Sequence, residues 1–301
     1  MKVTFSDTDE LLIWLYLFID SLFKQGELSL YTTRLSNNCF PFFTDTELFT
    51  CAIFAELMGY HTKKDGYKYI CRHYRAWFPK LPRYEVYNRK LNKFYDAFAY
   101  IFKQLRACYV RCSEAKGQID TAPIVVCRAQ HSANAKAAHP FVSKGYCAAK
   151  KMYYVGAKLQ IIAQNRNHAL PMPIDYHLET ASKHDVQIAK QTICTAPIEN
   201  MDIYGDKAYI DNEFQLELFE NYHINLMTPY KKKKGQSHLM LFQQAFNTIH
   251  ASARQSIDTL FGWIQNKTNI QDASKVRSVE GLFYFINIKM VAALIMLIFN
   301  F

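Results

Sequence analysis

Apolar residues recur along this chain at two different spacings, and the change of spacing divides it. Over the first third the spacing is helical. Leu11 to Phe23 (LLIWLYLFIDSLF) reads as one apolar helix. Thr44 and Glu47 have the spacing of a capping box and open a second helix toward Leu57, where Gly59 supplies a stop. After Pro82, the residues Tyr84, Tyr87, Leu91, Phe94, Phe98, Ile101 and Leu105 recur every third or fourth position and predict one long helix. Arg83, Arg89, Lys90, Lys93 and Lys103 fall on its other face. From about residue 118 the pattern turns to short β-branched runs. QIDTAPIVVC predicts a buried strand, and MYYVGAKLQIIAQ with ALPMPIDYHLET predicts an antiparallel hairpin turning at NRNH. DVQIAKQTI is helical, MDIYGDKAY is a strand ending in a Gly turn, NEFQLELFENY is an amphipathic helix and INLMTP a short strand. Ser237 to Lys267 is helical again, with Ile249, Ala253, Ile257, Leu260, Phe261 and Ile264 as its apolar stripe, and a final helix runs from about Ser278 to the end. Strands followed by alternating strands and helices define an α/β class. The expected organisation is a helical domain over 1–112 and a mixed α/β domain over 113–301.

Composition narrows the class. The chain has 301 residues, half of them apolar, with only ten Gly and nine Pro, which excludes a long disordered or low-complexity segment. A net charge of +10 suits a polyanionic partner, because Lys and Arg neutralise phosphates and release counterions. The helical segments fit a helix-turn-helix module with basic residues outward, and equally a plain bundle with a solvated basic face. The eight Cys form no CxxC pair, and Cys108 and Cys112 lack a second ligand pair at zinc spacing, so they read as reduced thiols. Asp7, Asp9 and Glu10 before the first apolar helix are the wrong flank for an export signal. The apolar stretch Met290–Phe301 has twelve residues, against about twenty for a membrane span. It predicts a buried terminal helix in a cytoplasmic protein.

Three places could carry chemistry. Asp120 lies inside an apolar strand, where a carboxylate is costly without a metal, a cation or hydrogen bonds. The alternative is an Asp that bonds nearby amides. Asp206 follows Gly205 where a strand ends, a usual place for catalytic side chains and also for an ordinary turn. Arg254 and Asp258 share one helix face, as a surface ion pair or as a metal ligand steadied by Arg.

Taken in order, IDTAPIVVC, MYYVGAKLQI, the His184-Asp185 pair, GDKAYI and RQSIDTLFGWI resemble the catalytic core of insertion-sequence DDE transposases, and within these the insertion sequence 982 family. The resemblance spans roughly residues 115 to 290. It implies an RNase H-like fold and a carboxylate triad holding Mg²⁺, for which Mn²⁺ can substitute. Asp120 and Asp206 would be the first two acids. Asp258 takes the place of the third, where the family has Glu, so the side chain is one methylene shorter. The family's basic residue further along that helix falls on Gln265, with Lys267 beyond it. The implied activity is cleavage and strand transfer of double-stranded DNA at terminal inverted repeats, by a homo-oligomer that works on the bacterial nucleoid and not at a membrane. Lys158, Lys207, Arg254 and the run Lys231, Lys232, Lys233 and Lys234 are the candidate phosphate contacts. The Lys run reads equally as a solvated loop.

Overall fold

The computed structural model describes residue 5 and residues 7–33, 41–110, 115–128, 136–147, 150–232 and 234–300. The expected boundary at residue 112, Cys39, Cys112 and Lys233 lie outside them. The chain divides into two units: Met1–Val110 with Lys267–Ile270 and Val276–Phe301, and Arg111–Asn266 with Gln271–Lys275.

The first unit is helical. In α1 (Thr8–Lys24) the side chain of Asp7 caps the helix by accepting from the amides of Asp9 and Glu10 at 2.9 and 2.8 Å. A 3-10 helix follows at Glu27–Thr32. The capping box forms at α2 (Asp45–Leu57): the Thr44 amide donates to Glu47 Oε2 at 2.6 Å and the Glu47 amide to Thr44 Oγ1 at 3.1 Å. An unexpected helix, α3 (Lys63–His73), buries only Gly66 and Ile70. The long helix expected after Pro82 is two helices, α4 (Tyr84–Lys93) and α5 (Tyr95–Tyr109). They meet at Phe94, whose backbone leaves the helical region at φ −101°, ψ 29°. The stripe runs through the break: Tyr87, Leu91, Phe94, Phe98, Ile101 and Leu105 are all 3% exposed or less. Burial, not helix continuity, is what the spacing recorded.

The second unit is built on a mixed sheet of β1 (Lys116–Arg128), β2 (Ser143–Cys147), β3 (Met152–Arg166), β4 (Ala169–Thr180), β5 (Met201–Tyr204) and β6 (Ile224–Met227). Its order is β2-β3-β1-β5-β6, with β4 also on β3. β1 runs antiparallel to β3, and β5 and β6 run parallel to β1. The expected hairpin forms from Ala157↔Thr180 to Arg166↔Ala169, while β2, not expected from sequence, takes the start of the same edge of β3. Gly156 lets β1 and β3 approach: a Cβ there would lie 1.9 Å from the Ile124 carbonyl oxygen. One face is a core of Ile119, Ile162, Ile203 and Leu226 packed with Ile193 of α6 (Asp185–Ile193) and Leu218 of α7 (Asn212–Tyr222). The architecture is a mixed sheet flanked by helices, compatible with an RNase H-like core. The helix α8 (Leu241–Thr268) follows β6. Its stripe is narrower than the periodicity suggested: Ile257, Leu260, Phe261 and Ile264 are buried, but Ile249 is 67% exposed.

The terminal helix α9 (Val279–Phe299) groups with the first unit. Its sequence is apolar on every side, and such a helix must be surrounded. It packs mainly on α5, and on α2 and α4. With 21 residues it is long and apolar enough to cross a membrane, more than the count from Met290 suggested, but 83% of its most apolar window is buried. Its polar residues are matched: Asn287 Nδ2 donates to the Tyr95 carbonyl at 3.0 Å, and the fully buried Lys289 donates to Glu56 Oε1 at 2.8 Å and to the Thr268 carbonyl.

Candidate active site

The sheet sets the strand that carries Asp120 next to the strand that leads to Asp206. β1 and β5 are parallel neighbours, paired Lys116↔Asp202, Gly117↔Ile203 and Gln118↔Tyr204. Asp206 follows the Gly205 turn beyond the end of β5, and Asp120, two residues past Gln118 within β1, shares the face of Gln118. That face meets α8. The buried Gln118 donates through Nε2 to the Ala253 carbonyl and to Ser256 Oγ, both at 2.5 Å, and to Asn165 Oδ1 at 2.7 Å. The Tyr204 ring lies 5.7 Å from that of His250. Gly205 makes the turn after β5 in a tight space, since a Cβ there would meet the Tyr209 ring at 3.0 Å and Ile119 at 3.2 Å. Asp206 then starts a short 3-10 helix by accepting from the Ala208 amide at 2.7 Å.

Asp120 is held in place on two sides. The Thr121 amide donates to its Oδ1 at 2.8 Å, and Arg254 Nη2 donates to its Oδ2 at 2.6 Å. The Arg254 partner is therefore Asp120, not the same-face Asp258 considered from sequence. Burial pushes the Asp120 carboxyl up to about 6. The Arg254 guanidinium and the Thr121 amide pull it down, and the negative charges of Asp206 and Asp258 add to the rise. That influence makes the three acids electrostatic neighbours. Asp258 itself is exposed and Asp206 half-buried. His250, 3% exposed, is pushed below the ordinary imidazole value, first by burial; its Nε2 lies 3.1 Å from the Met227 carbonyl oxygen.

A family model described as a transposase DDE domain matches residues 113–279. The chain belongs to the DDE transposase family. No curated protein and no solved structure matches it. The transposase domain covers the whole sheet and α8, so Asp120 and Asp206 both sit inside the matched region.

Transposases of this kind use divalent metal, and the donor chemistry fits in part. Among the described residues no group of three or more His, Cys, Asp or Glu is gathered closely enough to hold an ion. Mg²⁺ is usually bound by one or two carboxylates, with waters and substrate phosphates completing its shell. Asp120 and Asp206 are carboxylates of the kind such a shell uses, near enough for their charges to interact. A closed cage of three acids is a different arrangement from the one seen.

The other candidate residues divide by environment. Lys158 donates to Asp185 Oδ1 and to the Lys183 carbonyl, both at 2.8 Å, which ties β3 to the start of α6. Lys207, Lys231, Lys232 and Lys234 are exposed, and Lys232 donates to the Ser237 carbonyl at 2.8 Å. Gln265 Oε1 accepts from the Gln271 amide at 2.8 Å. Two residues escaped the sequence reading. Gln118 links β1 to α8, and its position two before Asp120, on the same strand face, was the available signal. Tyr209 is fully buried, and its hydroxyl accepts from Gln160 Nε2 at 3.2 Å. Burial raises its phenol well above the ordinary value, and Asp120 and Asp206 contribute to that rise. Among the described residues, Gln118 Oε1, Gln160 Oε1 and Arg254 Nε are buried without a hydrogen-bond partner.

Proposed function

We propose that this transposase cuts double-stranded DNA at the terminal inverted repeats of an insertion sequence and joins the freed 3′ ends to target DNA. The finer assignment is to the insertion sequence 982 family, with action as a homo-oligomer on nucleoid DNA. One observation supports the reading: Asp120 on β1 and Asp206 just past the end of the neighbouring parallel β5 are near enough for their charges to interact, with Arg254 against the first. Asp120 and Asp206 would hold Mg²⁺ or Mn²⁺, with Asp258 as the third acid. Such ions activate the attacking oxygen and stabilise the leaving oxygen of an in-line displacement at phosphorus. Arg254 offsets the Asp120 charge and is placed to meet a phosphate. Gln118 ties β1 to α8 two residues from Asp120, and Tyr209, three residues past Asp206, accepts from Gln160 of β3. Lys207, Lys231, Lys232 and Lys234 would contact the DNA backbone with Lys233, whereas Lys158 already serves Asp185. Water attacks in cleavage and the 3′-OH in joining, so no Ser, Tyr or Cys nucleophile is needed.

A second reading keeps the fold and DNA binding without cutting. The exposed, shortened Asp258 favours it. Purified protein with Mg²⁺ or Mn²⁺ and a labelled inverted-repeat end separates the two. Cleavage with joining supports the first reading; binding without cleavage supports the second. Cleavage alone would indicate a nuclease. Asp120→Ala and Asp206→Ala should abolish cutting while DNA binding persists, and unchanged cutting in either would refute the site. Asp258→Glu raises the rate if the short acid is a handicap, and lowers it if the site has adapted.

A further inference from the structure

A cleft of about 330 Å³ opens in the helical unit where α2 gives way to α3. Tyr60, His61, Lys68, Tyr69, Arg72 and His73 line it. Its shape follows from backbone features. Gly59 turns the chain at φ +82°, and the Tyr60 amide closes the turn on the Ala55 carbonyl at 3.0 Å. Gly66 lets α3 lie against α2, since a Cβ there would be 2.9 Å from that of Ala55.

The cleft has an aromatic wall and a cationic rim. The Tyr60 and Tyr69 rings stack with centroids 4.4 Å apart and planes 22° from parallel, and His73 continues the series 5.0 Å from Tyr69. Tyr60 ends the stack and is 37% exposed. Lys68 and Arg72 are exposed, and Lys64, also exposed, precedes them at the same four-residue spacing along α3. The one acid of the lining, Asp65, is engaged at the helix start, accepting from Thr62 Oγ1 at 2.6 Å. His61 is oriented from behind: its Nδ1 lies 2.9 Å from Glu56 Oε1, which leaves Nε2 as the ring nitrogen open to a ligand. Glu56 is in turn held by Lys289.

A partly exposed ring beside exposed cations suits a base with its phosphate. A paired duplex hides the faces of its bases, so a ring aimed at stacking selects an unpaired nucleotide. We propose that this cleft takes one unpaired nucleotide of DNA, with the base on Tyr60 and the flanking phosphate on Lys68 and Arg72. The inference rests on the reading of the chain as a DNA-acting transposase and adds a single-strand contact remote in sequence from the acids.

Fluorescence anisotropy on the full chain tests it with two probes, a short labelled oligothymidine and a blunt duplex. Tyr60→Leu keeps apolar bulk and loses the ring; it should weaken oligothymidine binding about tenfold and leave duplex binding within about twofold. Tyr60→Phe keeps the ring and should bind both probes as wild type does. Arg72→Ala should lower the salt slope for oligothymidine by about one. Equal effects of Tyr60→Leu on both probes, or on neither, overturn the proposal. Wild-type protein that binds duplex but not oligothymidine overturns the cleft alone. Protein that binds neither overturns the proposed function with it.

Discussion

Replacing Asp120 with Asn should stabilise the metal-free protein at neutral pH while ending its activity. The carboxyl stands at about 6 in the folded chain against an ordinary 3.8. Folding therefore favours the protonated form even with Arg254 in place. At 1.36 kcal/mol per pH unit the rise corresponds to about 3 kcal/mol against the ionised form. Asn reproduces the neutral charge, with one oxygen left to accept from Arg254 or from the Thr121 amide, and the lost acceptor takes back part of the gain. Allowing for local relaxation, the gain above pH 6 should be about 1.5–3 kcal/mol, or about 3–10 °C in Tm for a unit of this size. The sign follows from proton binding. Between the unfolded and folded values the folded chain holds more protons, so wild-type stability falls as pH rises through that window. The advantage of Asp120→Asn should be full above about pH 7 and absent below about pH 4. Thermal melts of both proteins in EDTA across this range measure it. Added Mn²⁺ should raise the wild-type Tm and leave the variant unchanged. Equal melts at pH 8, or a difference that persists at pH 4, would refute the reasoning.

Removing Arg254 takes away the charge that lowers the Asp120 carboxyl. Arg254→Ala should therefore move the acid limb of the cleavage profile to higher pH, which a pH–rate series will read. Lys289→Ala leaves Glu56 buried without its cation and should cost about 3–5 kcal/mol in denaturant unfolding. The double variant Glu56→Gln with Lys289→Met should recover most of that loss. Gly156→Ala forces a Cβ against the Ile124 carbonyl and should cost about 3 kcal/mol, seen as a lowered Tm or insoluble protein.

Much of the α/β unit was legible because its elements are long, periodic and bounded by turn residues. β1, the β3–β4 hairpin, α6, β5, α7 and β6 all sit where the pattern placed them. The failures share a cause. α3 buries only Gly66 and Ile70, so it offers no stripe to read; the cap at Thr62, which accepts from the Asp65 amide, was the one local sign. β2 buries only Gly145. Ile249 keeps helical phase with the stripe but lies near the start of α8, where it is exposed. The pairing of Arg254 with Asp120 joins residues 134 positions apart, which no local pattern encodes. Motif order singled out Asp120 and Asp206, whereas the parallel pairing of β1 with β5 emerged only from the structure.

The placement of α9 has a consequence for how the chain is made. A ribosome completes α1 to α5, then the entire sheet, and only afterwards the helix on which α5, α2 and α4 close. Until then the early helices present an apolar trough with nothing in it, a surface for chaperones or for a neighbouring nascent chain. The amino-terminal unit can therefore be completed only once α9 has left the ribosome. A gene cut at the apparent boundary would yield one fragment lacking its keystone and another carrying a bare greasy rod.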